Sequence, residues 1–149
     1  MNNIFNINKK AVFAIYIILN LFFVGVGMGI PFFCVLFGFP VGWYIAKRLK
    51  NNEQNLETLL TIILKYAFIT STFTFILMLI IWGPISTMLL NPYADFINFG
   101  IPLILYDPKI SFIGWILLMI FISPFLQLII TIFASNVTLW RSSKNIINE

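Results

Sequence analysis

Apolar residues fall along this chain in long blocks separated by short polar stretches, without the alternation that marks half-buried strands. The blocks cover about 11–27, 31–46, 66–90 and 110–135. A hydrocarbon core of about 30 Å needs about 20 residues at 1.5 Å each, so every block predicts one crossing, the first two short. The fold class expected is all-α: a polytopic membrane bundle of four transmembrane helices, with both termini cytoplasmic. The spans consume nearly the whole chain, which predicts one domain over 1–149.

The stretches between blocks have their own character. Residues 51–65 open on Asn51 and Asn52, which suit a helix N-cap, and carry Glu53 and Glu57 where a first turn favours acids. Leu56, Leu59, Leu60, Ile63 and Leu64 then recur every three or four residues, predicting a surface helix over 53–65 that runs into the third span. Residues 91–109 form an outer connector, in which 96–106 is too short to cross and too apolar to float in water. That segment is expected to lie at the interface or re-enter. The basic, apolar start at 9–30 resembles a signal peptide, but its run is long for one and lacks a clear cleavage site, so it is read as a retained first span.

Charge fixes the direction. Lys9, Lys10, Lys47, Arg48, Lys50, Lys65, Arg141 and Lys144 fall on one side of the four-span plan, and Lys109 alone on the other. Basic residues stay cytoplasmic, so the connector is expected outside. Trp43, Tyr44, Tyr66, Trp82, Tyr93, Tyr106 and Trp140 sit near span ends, as an interfacial belt requires, with Trp115 a few residues inside the fourth span.

Composition agrees. Of 149 residues, 60% are hydrophobic and 9% charged, with 17 Phe. A soluble domain carries roughly 25% charged residues, and a chain this short cannot hide so much apolar surface in its own core. The partner expected is therefore the lipid bilayer. The Asn, Ile, Lys and Phe bias points to an AT-rich microbial genome and a prokaryotic cytoplasmic membrane. The net charge of +4 belongs to topology, and no basic run is long enough for nucleic acid.

Candidate chemistry is sparse. With no His and the single Cys34, the sequence offers no His-based triad, most zinc sites are ruled out, and no internal disulfide can form. No cofactor is expected. No Asp, Glu or Arg lies in a span core, so the membrane-embedded carboxylate of small four-helix multidrug exporters has no counterpart. The triplet Asn136-Val-Thr138 matches a glycosylation acceptor but falls on the cytoplasmic side.

Three groups of residues remain as candidates. Gly25 with Gly29, and Gly38 with Gly42, place small residues one turn apart, which lets helices approach closely. They predict either packing of the first two spans on each other or docking onto a second copy or another membrane protein. Asn20 and Gln127 sit mid-span and need partners, while Pro40, Pro84 and Pro124 kink spans or break them around a pathway. Asp95 and Asp107 are the two carboxylates of the connector. The segment Tyr93-Ala-Asp95-Phe-Ile-Asn-Phe99 resembles part of signal peptidase II, which implies an aspartate-dependent hydrolase. The other sequence contexts of that family's aspartates are absent here, and Pro92 and Pro108 make both residues equally suited to turns. The leading expectation is a non-catalytic membrane subunit, assembly factor or regulator, followed by a component of an oligomeric transporter or channel, with the hydrolase last.

Overall fold

A computed structural model of the chain describes residues 8–26, 32–50, 55–103 and 105–147. Helix α1 spans Lys9–Val26, α2 Phe32–Leu36, α3 Gly38–Lys50 and α4 Leu56–Ser86. A 3-10 turn at Thr87–Leu90 ends α4. Helix α5 covers Pro108–Leu117 and passes through a π-helical turn, Leu118–Ile122, into α6 at Ser123–Ile147. These segments make four helical rods, with no strand among the described residues. Two rods, Glu57–Leu90 and Pro108–Ser142, are long and apolar enough to cross a membrane. Lys10–Gly25 is a shorter apolar helix.

Each boundary has a local cause. The cap of α4 is Asn55, whose side chain accepts from the Glu57 N–H at 3.0 Å; the expected caps, Asn51 and Asn52, lie outside the described residues. No break separates the expected surface helix from the third span. The 31 residues of α4 rise about 46 Å, longer than the roughly 30 Å of a hydrocarbon core. The second rod breaks at Phe37, which places Pro40 in the first turn of α3, where its missing N–H costs least. The π-helical turn directly precedes Ser123 and Pro124 and widens the helix where proline removes a backbone donor. Ser71 on α4 donates to the Pro124 carbonyl at 2.7 Å.

Pair registers give the direction of every rod. Tyr16 and Asn20 of α1 meet Thr70 and Thr74 of α4, rising together, so these helices run parallel. Gly38 and Gly42 of α3 meet Gln127 and Thr131 of α6 in the same sense. By contrast, Tyr16 stacks near Phe37 and Phe23 near Phe33, so α1 and the second rod are antiparallel. Ser71 with Pro124 and Phe75 with Phe121 make α4 antiparallel to the last rod. The rods thus alternate up, down, up, down. Lys10, Lys47, Arg48, Lys65 and Arg141 consequently gather toward one end, and the connector closes the other.

The connector is irregular rather than helical. Phe96 and Phe99 pack on Phe112 at ring separations of 5.0 and 5.3 Å, covering a core of Met78, Trp82, Phe112, Trp115 and Met119. Trp82, expected in the interfacial belt, is buried in this core, as is Trp115. Tyr93, Tyr106 and Trp140 are exposed. Asp107 is the N-cap of α5 and accepts from the N–H groups of Lys109 and Ile110 at 2.8 and 3.2 Å. Removing such a cap costs about 1 kcal/mol. Asp107→Ala is therefore expected to lower stability by about that amount in a detergent melt, and Asp107→Asn to restore most of it.

Candidate functional site

The polar residues of the spans converge in the bundle. On α1, Tyr16 and Asn20 stand one turn apart and face the core, and on α4 Thr70 and Thr74 do the same. The Tyr16 hydroxyl donates to the Thr70 carbonyl at 2.8 Å, and Thr74 donates to the same carbonyl at 3.2 Å. The Asn20 amide donates one hydrogen to the Tyr16 hydroxyl and the other to Thr74 Oγ1, each at 2.7 Å. Three side chains and one carbonyl form a relay of hydrogen bonds that ties α1 to α4. The rings of Phe13, Phe37 and Phe73 pack on Tyr16.

Four buried side-chain polar atoms have no hydrogen-bond partner among the described residues: Asn20 Oδ1, both Gln127 amide atoms and, in the core nearer the connector, Trp115 Nε1. Asn20 and Gln127 are 0% exposed. Gln127 adjoins the Tyr16 hydroxyl without reaching a well-formed bond. The sequence singled out Asn20 and Gln127 separately, and the bundle brings them to one region. It missed Tyr16, Thr131 and Ser135. Their signal was the spacing of four: Tyr16 with Asn20, and Gln127 with Thr131 and Ser135, each put polar groups on one helix face.

The small residues act on a different pair of helices from the one expected. A side chain on Gly38 would meet the Gln127 carbonyl at 2.8 Å, and one on Gly42 would run into the Thr131 carbonyl. The Ser135 hydroxyl reaches the Gly42 carbonyl at 3.0 Å across the seam. Gly38 and Gly42 therefore admit α6 against α3, correcting the expectation that they seat the first two spans on each other. No described residue comes within 4 Å of the position a Gly25 side chain would take, and Gly29 lies outside the described residues. Pro84 lies near the end of α4, where Ser86 and Thr87 cap the Gly83 and Pro84 carbonyls at 2.6 Å.

Between α1, α3 and α4, at the basic end, lies an apolar cleft of about 610 Å³. Tyr16 and Thr70 stand in its wall, and Arg48, Lys65, Tyr44 and Tyr66 also line it. Arg48 donates to the Tyr44 hydroxyl at 3.0 Å.

The two connector carboxylates are engaged locally. Asp95 is exposed and accepts from the Asn98 amide at 2.6 Å and from the Ile97 and Asn98 N–H groups. The Asn98 bonds hold its pKa below the ordinary carboxylate value. Asp107 serves the α5 cap. Among the described residues no group of three or more His, Cys, Asp or Glu is placed to hold a metal ion.

The architecture defines an all-α protein of four helical rods, two of them long and apolar enough to cross a membrane. No family model, no curated protein and no solved structure matches this chain.

Proposed function

We propose that this is a multi-pass protein of a prokaryotic cytoplasmic membrane, crossing four times with both ends cytoplasmic. In this reading it acts through its helix faces as a subunit, assembly factor or regulator of other membrane proteins. The alternating rod directions and the collection of basic residues at one end support the placement. The observation that carries the role is the contrast between the pair Gly38 and Gly42 and the single Gly25. Gly38 and Gly42 are used up inside the bundle, whereas Gly25 lies on an open face of α1 shared with Ile18 and Phe22. An open small-residue face lets a second helix come close. The test is the native mass of the protein extracted with its own lipids, with co-purifying chains identified. A defined companion, lost in Gly25→Leu while the bundle stays folded, is the expected result. A clean monomer under gentle extraction sinks the reading.

A second reading, a component of an oligomeric transporter or channel, is favoured by the unpartnered amide of Gln127 and by Asn20 Oδ1. Unsatisfied polar atoms deep in an apolar bundle are costly and are kept where they serve a ligand or pathway. Asn20→Leu and Gln127→Leu should then abolish flux in liposomes. Unchanged flux of every solute tried ends that reading.

A further inference from the structure

The cleft between α1, α3 and α4 has a shape and charge that point to one kind of occupant. Its walls are the apolar side chains of Leu19, Val41 and Ile45, among others, and two cations from different helices, Arg48 and Lys65, line it at the basic end. Among the described residues that line it, none is acidic. A volume of about 610 Å³ falls in the range of roughly 300–1,000 Å³ that small-molecule sites occupy. Depth is informative too. From Phe37 at the deep end to Arg48, the second rod rises about 16 Å, close to the roughly 15 Å of one hydrocarbon leaflet.

We propose that the cleft binds one anionic phospholipid of the cytoplasmic leaflet. An acyl chain lies along Leu19, Val41 and Ile45, and the phosphate sits between Arg48 and Lys65. The Arg48–Tyr44 hydrogen bond of 3.0 Å holds the guanidinium toward the cleft, where a planar donor suits phosphate oxygens. Basic pockets between helices on the cytoplasmic side select anionic headgroups, whereas the ammonium of a zwitterionic lipid meets like charge here. This assignment rests on the membrane placement proposed above and is independent of the helix-docking role.

The test reconstitutes the full-length protein with equal amounts of phosphatidylglycerol and phosphatidylcholine and counts bound lipids by native mass spectrometry. The wild type is expected to retain phosphatidylglycerol preferentially. The pair Arg48→Ala with Lys65→Ala should weaken that retention by about tenfold or more. The pair Lys47→Ala with Arg141→Ala removes equal charge from the same end outside the cleft, and should leave it unchanged. If the first pair fails to fold, Ile45→Trp replaces it: filling the cleft with both cations intact should expel the lipid. Equal retention of the two lipids, equal loss in both charge pairs, or full displacement by soluble glycerol phosphate overturns the proposal. A chain that stays in the aqueous phase without detergent overturns the membrane placement itself.

Discussion

Gly42→Leu is expected to be the most damaging single substitution in the bundle. A side chain at this position collides with the Thr131 carbonyl and would stand 2.9 Å from the Ala134 side chain and 3.1 Å from the Ser135 nitrogen. Two of those obstacles are backbone, which cannot rotate aside. The helices must separate, and separation also breaks the Ser135 bond to the Gly42 carbonyl. Overpacking of this kind costs about 1–3 kcal/mol and more where backbone is in the way, so a loss of about 3 kcal/mol or greater is expected in reversible denaturant unfolding in micelles. Gly25→Leu supplies the contrast. No described residue lies within 4 Å of that position, and the change should stay within about 0.5 kcal/mol. Comparable losses in the two variants would mean that α3 and α6 are not seated as described.

The second large effect is expected at Asn20, and its sign differs from that of the residue most like it. Asn20→Leu removes both donors that serve the Tyr16 hydroxyl and Thr74 Oγ1. Hydrogen bonds between membrane helices average about 0.6 kcal/mol, and stranding a buried acceptor adds to that, so about 1–3 kcal/mol should be lost. Gln127→Leu removes an amide that has no well-formed hydrogen bond among the described residues and is buried at 0% exposure. Exchanging an unpaired polar group for an apolar one of similar size is expected to be neutral or stabilising. Thermal melts of the two variants side by side decide it. A Gln127→Leu loss as large as that of Asn20→Leu would show that the Gln127 amide is bonded after all.

The parts of this molecule legible in its sequence are those set by one helix at a time. Apolar block length placed the two long rods, and the polar residues Asn20 and Gln127 stood out because a lone amide among apolar neighbours must face inward. Asp107 next to Pro108 could be read as a turn residue from its immediate neighbours, and it proved to be a helix cap. What the sequence did not reveal depends on which helix lies beside which. The Gly38–Gly42 spacing announces a close approach but not to whom, and the answer, α6, lies far along the chain. Tyr16 was not singled out, because its partners Thr70 and Thr74 are on another helix. The cleft was invisible for the same reason: Arg48 and Lys65 read as topology signals, and only the packing of α3 beside α4 sets them on one opening.

The seam between α3 and α6 also bears on how the molecule is made. Its cross-helix bond joins residues 93 positions apart, Gly42 and Ser135. At roughly 5–20 residues per second, the ribosome needs roughly 5–20 s after Gly42 before Ser135 exists. During that interval the glycine groove of the second rod is unfilled and, on the membrane placement proposed above, lies open to whatever helices happen to pass. A nascent chain that stalls before α6 keeps that face open to proteolysis, and completing the last rod is what withdraws it.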